Sequence, residues 1–333
     1  MEKFRIAVIG TGMAWDRLHL PALQQMNDKF EVVAMANRTE EKLKMAADKI
    51  GLEHSNIYTD YKEMLKRDDI DAVLTAVPIQ LNFEVAKNVV KAGKNIIAEK
   101  PLAAEIEDAK KFLKFEEKYQ VKVLIAENYR YNEEMNMIKN IINDGKIGEV
   151  VYFIYNKVSD FNEDMKQDTF AGKDWRQHPE FEGGTFLDGG IHDIAAMRHL
   201  FGKVDDVCSY GIPNNQDFCP YSYIDTTFRF DSSVIGHYIY WIKGKESQSP
   251  AVGLRIFGTN GMIYLENSNS GYINVFYNDG SHECIQYCTG KGYYNEWMNF
   301  YKVLSGEEKV STKPDEAFGD MKLVMDILDK IKI

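Results

Sequence analysis

Phe4-Arg5-Ile6-Ala7-Val8-Ile9-Gly10-Thr11-Gly12-Met13-Ala14 decides the fold. A short apolar run ends in two glycines and then opens into an amphipathic segment, read here as a G-x-G-x-x-A loop closed by Ala14. Glycine lets a backbone turn tightly and approach a pyrophosphate, and the start of a helix supplies N–H groups and partial positive charge to hold it. Working outward, four more apolar runs follow at Phe30 to Ala36, Ala72 to Val77, Asn95 to Ala98 and Val121 to Ala126. Between them lie helical patterns near Leu18 to Met26, Glu40 to Ile50, Asn82 to Ala92 and Glu105 to Tyr119. Thr39 fits an N-cap, and Gly51 and Gly93 fit C-terminal stops. Mostly continuous apolar strands alternating with helices predict βαβ units around a parallel sheet covered on both faces.

After about residue 148 the period changes to two. The runs are Val150 to Asn156, Tyr223 to Phe230, Val234 to Trp241, Leu254 to Phe257, Met262 to Leu265 and Tyr272 to Tyr277. These predict a mostly antiparallel open sheet, with Asn260-Gly261 as a type I′ hairpin turn. Helices near Tyr294 to Leu304 and Asp315 to Ile331 end the chain. The expected division is a Rossmann domain at 1–123 and an α+β substrate-binding and oligomerisation domain at 124–333, the C-terminal helix able to pack back on the first. In Val234 to Trp241 both faces are sticky, which predicts a homodimer or homotetramer joined through this sheet.

At 333 residues with 44% apolar content, the chain can build two cores. A net charge of −11 without any basic block opposes nucleic acid as a partner. No apolar run reaches the roughly 18 residues a membrane helix needs, and no signal peptide is apparent. The four cysteines lack zinc-ligand spacing, so no metal is expected and a reduced, cytoplasmic setting is.

At the end of the second strand, where an acid often meets the ribose of NAD, stands Asn37. Asparagine does not repel a 2′-phosphate, Arg38 can clamp one, and Thr39 adds a hydroxyl, which favours NADP over NAD. Against this, Arg38 is equally a solvated charge, and Glu40 and Glu41 oppose added negative charge. Val77, Pro78 and Asn82 after the fourth strand are further cofactor candidates, as are Glu99, Lys100 and Asn128.

Glu99-Lys100-Pro101 closes the fifth strand, at the edge where open α/β sheets bind ligands. Gly183-Gly184-Thr185-Phe186-Leu187-Asp188-Gly189-Gly190-Ile191-His192-Asp193 leads into a helix, placing Asp188 and His192 at i and i+4. Oxidising an alcohol needs a base for the hydroxyl proton, and His192 is the best candidate; Asp188 holds substrate or steadies the protonated imidazole, and Lys100 stabilises charge on oxygen. Arg198 and His199 read as structural.

With Asn128 to Tyr131, Gly145-Lys146-Ile147-Gly148 and Trp175-Arg176 in the same order, the chain resembles the Gfo/Idh/MocA oxidoreductases over nearly its whole length. The resemblance implies Lys100, Asp188 and His192 as the catalytic set and a cis bond before Pro101. Tyr129, Arg130, Trp175 and Arg176 are substrate-side candidates, with core packing or surface charge an equal reading of each. One departure is Pro78-Ile79-Gln80-Leu81-Asn82, where the family commonly has Pro-Asn-x-x-His; Asn82 is still expected to cap the following helix. The expected activity is hydride transfer to or from a secondary alcohol or ketone of a sugar, cyclitol or related polyol. A non-catalytic nucleotide-binding regulator and an NAD-dependent glycosidase-like enzyme are the alternatives.

Overall fold

A computed structural model describes residues 3–244 and 252–333. They form two units: 1–128 with 293–319, and 129–292 with 320–333. The boundary falls a few residues beyond the expected 123, and the helix at Gly292–Leu304 belongs almost entirely to the first unit.

In the first unit, β1 (Phe4–Ile9), β2 (Phe30–Ala36), β3 (Ile57–Tyr58), β4 (Ala72–Thr75), β5 (Asn95–Glu99) and β6 (Val123–Ala126) form a parallel sheet in the order β3-β2-β1-β4-β5-β6. Ile6, Ala7 and Val8, and Ala72, Val73 and Leu74, are fully buried, as continuous apolar strands between helical layers must be. The order reverses between β1 and β4, so their carboxyl ends form the switch point at which such sheets bind ligands. Helix Glu40–Ile50 matches its pattern and stops at Gly51 in the left-handed conformation.

The first helix departs from expectation. A wide π-type turn, Trp15–His19, precedes a short α segment, Leu20–Gln24. Pro21 has no N–H to return to the carbonyl four residues back, and the wider turn accommodates that loss. Counted strictly, the third small position of the loop also falls to Trp15, with Ala14 one place early; the Trp15 side chain is fully buried beneath the turn.

In the second unit, β7 (Val150–Val158), β8 (Val204–Pro213), β9 (Tyr221–Phe230), β10 (Ile235–Trp241), β11 (Gly253–Gly258), β12 (Gly261–Leu265), β13 (Tyr272–Tyr277), β14 (His282–Gln286) and β15 (Ile331–Lys332) form one sheet in the order β14-β13-β12-β11-β7-β10-β9-β8-β15. It is mostly antiparallel, but β7 runs parallel to β10 and β15 parallel to β8. The first parallel pair arises because a long connection carrying helix Ile191–Phe201 separates β7 from the strands that follow. Ile331, expected to end a helix, is in the edge strand β15.

The Asn260-Gly261 turn is not of type I′, since neither residue has positive φ. The two-residue connection is Thr259-Asn260, whose amides donate to the carbonyls of Glu149 and Ile147. Gly148 permits that approach, since a Cβ there would lie 2.2 Å from Thr259 Oγ1. One face of the sheet packs on helix Ile191–Phe201, where Phe153 stacks on Phe201 at 4.3 Å. The opposite face leaves Tyr152, Tyr210, Ile212, Tyr272 and Phe276 exposed.

Candidate active site

The loop after β1 fits a dinucleotide. Gly10 has φ +96°, and a Cβ there would lie 2.2 Å from the Ala76 carbonyl oxygen just beyond β4, so only glycine closes the switch point this tightly. Over Gly12 there is open space, with nothing within 4 Å of an added Cβ, which is the free backbone surface a pyrophosphate needs. Met13 and Ala14, partly buried, carry the chain into the helical turn. Thr11 is buried, its hydroxyl accepting from Asn37 Nδ2 at 2.8 Å, while Asn37 Oδ1 accepts from the Thr39 amide at 3.0 Å. Asn37 thus ties the end of β2 to the phosphate loop. Thr39 stands at the N-cap of helix Glu40–Ile50 as expected, but its side chain makes no cap bond. Arg38 and Thr39 are exposed, and no carboxylate occupies the Asn37 position.

Val77 and Pro78 are partly buried between β4 and the helix Ile79–Lys91, which begins three residues before Asn82. Asn82 is therefore not its cap. It is buried, and its Nδ2 donates to the Glu99 carbonyl at 3.3 Å and the Pro101 carbonyl at 2.7 Å. These carbonyls flank Lys100, whose bond to Pro101 is cis. Asn82 is thus a positioning residue for the lysine. Behind them, Trp297 Nε1 donates to His19 Nδ1 at 3.1 Å, and His19 Nε2 meets Glu99 Oε1 at 2.9 Å. Tryptophan is only a donor, so Nδ1 accepts and Nε2 carries the proton toward Glu99. The carboxylate of Glu99 is thereby held by His19. Sequence reading did not single out His19 or Trp297, which lie 278 residues apart with no periodicity to join them.

In the second unit Asp188 lies in a wide turn, Phe186–Gly190, that runs straight into helix Ile191–Phe201, with His192 in its first turn. Arg176, on the short helix Asp174–Gln177, reaches both Asp188 oxygens, Nε on Oδ2 and the second contact at 3.3 Å. Its guanidinium lies 4.3 Å from the Trp175 ring centroid and 5.3 Å from that of Phe170. Trp175 and Arg176 thus position the acid. His192 is partly buried and stacks on Tyr129, centroids 4.7 Å apart and 21° between planes. Asn128 and Tyr129 belong to a single 3₁₀ turn, Asn128–Arg130.

Of the two readings of Arg130, packing is the one its contacts support. The residue is buried, and its Nη2 forms hydrogen bonds of 2.7 and 2.9 Å to both oxygens of Asp320, which Arg198 also contacts. His199 is partly buried beside Asn136, and desolvation, with Lys139 and Arg130 nearby, pushes its pKa down to about 3, so it stays neutral.

The residues that sequence reading missed sit beneath His192. Asp193 accepts from the Tyr155 and Tyr238 hydroxyls, both at 2.8 Å. Burial, then the Asp193 charge, raises both phenols well above their ordinary range, so they remain donors. Tyr238 and Tyr240 had been visible only as apolar members of an alternating strand. Among the described residues no group of three His, Cys, Asp or Glu side chains is placed to hold a metal, and no helix is long and apolar enough to cross a membrane.

Comparison with known proteins gives two family matches: an oxidoreductase family with an NAD-binding Rossmann fold over residues 4–127, and a GFO/IDH/MocA C-terminal domain over residues 135–264. The Saccharomyces cerevisiae protein YMR315W is 30% identical over 81% of this chain and 76% of its own length. A dTDP-3,4-didehydro-2,6-dideoxy-alpha-D-glucose 3-reductase of Saccharopolyspora spinosa is 30% identical over 59% of this chain and 55% of its own. The chain spans a little over half the length of several other oxidoreductases it matches. An oxidoreductase of Thermotoga maritima superposes with a TM-score of 0.86 at 26% identity, covering 99% of this chain and 97% of that one.

Proposed function

The chain belongs to the Gfo/Idh/MocA family of NAD-binding oxidoreductases, and on that premise we propose that it moves hydride between a nicotinamide nucleotide and a secondary alcohol or ketone of a sugar, cyclitol or related polyol. The observation that carries the reading is the pairing of an Arg176-clamped Asp188 with a Tyr129-stacked His192 on one helical turn. A bound nicotinamide supplies the hydride acceptor in oxidation and the donor in reduction. His192 takes the substrate hydroxyl proton in oxidation and returns it to the carbonyl in reduction. Lys100, its backbone bracketed by Asn82, stabilises negative charge developing on a substrate oxygen. Asp188, oriented by Arg176, supports the imidazole as it gains charge.

We assign NADP as the preferred nucleotide. Asn37 in place of an acid, with Arg38 and Thr39 exposed beside it, favours a 2′-phosphate. Titration of the protein with both nucleotides tests this; equal or tighter binding of NAD removes the preference. The exposed apolar face of the second sheet supports a homodimer or homotetramer, for which a monomeric mass by light scattering at micromolar concentration is the contrary result. Four free thiols support a cytoplasmic setting. The activity itself is tested by a panel of sugars, cyclitols and their keto forms followed by nicotinamide absorbance; absence of turnover with either nucleotide defeats the proposal.

A further inference from the structure

Lys157 is a charged side chain that the chemistry above does not use. It lies on β7, where Phe153, Tyr155 and Lys157 follow one another at period two on the face turned toward helix Ile191–Phe201. Phe153 stacks on Phe201 and Tyr155 donates to Asp193, both on that helix, which fixes the face. In register across the parallel pair, Tyr155 stands opposite Tyr238 and Lys157 opposite Tyr240. The Tyr240 hydroxyl contacts Thr185 Oγ1 at 2.7 Å, and a Cβ on Gly189 would lie 3.7 Å from it. Lys157 therefore stands beside a residue that packs directly against the turn carrying Asp188 and leading to His192.

The ammonium has company but no partner. The charge of Asp193 acts on it most strongly, followed by the Tyr129 phenol, and together they favour the charged form of Lys157. Yet each oxygen of Asp193 already accepts a tyrosine hydroxyl. Lys157 makes no hydrogen bond and no ion pair within 4 Å with any described residue. The side chain is partly buried on the inner face of a sheet among tyrosines, and its charged ammonium offers three donors there to an incoming anion. Tyr129 feels this charge and also stacks on His192, so the ammonium and the candidate base share a neighbour.

We infer that Lys157 anchors an anionic group of the substrate, a carboxylate or a phosphate, so that the substrate class is an acidic sugar or polyol. The inference rests on the oxidoreductase reading above and narrows it. A lysine meets either group as a point charge, so both belong to the same chemistry.

The test is a panel of hexuronates, aldonates and hexose phosphates, each beside its neutral parent sugar or alditol, assayed by nicotinamide absorbance with both nucleotides. Wild-type protein is expected to favour the anionic member of at least one pair by about tenfold or more in kcat/KM, and the arm that carries the preference identifies carboxylate or phosphate. Lys157→Met is expected to lose that preference by roughly 10- to 100-fold, mainly through KM, with the neutral parent little changed. Lys157→Arg, which keeps the charge, retains most of it and guards against a mere folding defect, as does thermal unfolding of both variants. Equal turnover of acid and parent, turnover of neutral compounds alone, or an undiminished preference in folded Lys157→Met overturns the inference and leaves the oxidoreductase reading in place. No turnover of any member overturns both.

Discussion

The phenol ring of Tyr129 lies nearly parallel to the imidazole of His192, with centroids 4.7 Å apart. The stack fixes the plane in which the candidate base meets a hydroxyl. Tyr129→Ala is expected to lower kcat by about 2- to 10-fold, the worth of one aromatic pair. Tyr129→Phe keeps the ring and should retain more of the rate. Steady-state kinetics of the two variants check this, and equal losses in both would shift the role from the ring to the hydroxyl.

Arg176 holds both oxygens of Asp188 through a planar fork. Arg176→Ala leaves a nearly buried carboxylate without its cation, and a loss of about 2–5 kcal/mol, divided between stability and catalysis, is expected. Arg176→Lys restores the charge without the fork and should recover only part of it. Thermal unfolding and kcat measured together separate the two shares.

Arg130 and Arg198 both close on Asp320, which is almost fully buried. Asp320→Ala is expected to destabilise by about 3–5 kcal/mol because two guanidinium groups lose their anion. KM should change little in whatever fraction stays folded. A large KM effect with unchanged denaturant midpoint would return Arg130 to the substrate.

Two buried carboxyls give the stability a pH dependence of definite sign. Burial pushes Glu134 up to about 7, and burial, reinforced by Glu99 and Glu127, raises Glu296 well above its ordinary range. In each case the folded state holds a proton that the unfolded chain releases above about 4.5. Stability is therefore greatest below that value and falls as pH rises, the Glu134 share being lost by about 7 and the Glu296 share continuing beyond it. Glu296→Gln, the shape of the protonated acid without its titration, is expected to raise Tm at pH 8 by ~2 °C or more. Melting curves from pH 5 to pH 8 that run parallel for the variant and the wild type would contradict this.

Strands β1, β2 and β13 were legible to the residue, because six or more consecutive positions carried one unbroken signal. The long strand β8 was not, since its burial rests on Val207 and Ser209 alone and its sequence reads as polar with Gly and Pro at the end. At the site, the residues carrying local motifs were legible: Gly10, Gly12, Lys100, Asp188 and His192. What supports them was not. Asn82 grips the Lys100 turn from another helix, His19 reaches Glu99 across 80 positions, and Tyr155 and Tyr238 converge on Asp193 from separate strands. Such partners share no spacing in the chain, and only the fold brings them together.

The most direct test of the central claim is the turnover of a sugar-like alcohol with NADP or NAD in wild-type protein, Lys100→Ala and His192→Ala, read by nicotinamide absorbance. Wild type is expected to reduce the nucleotide, kcat to fall about 10²-fold or more in His192→Ala, and Lys100→Ala to suffer a severe loss as well. Unchanged turnover in both variants would contradict that expectation.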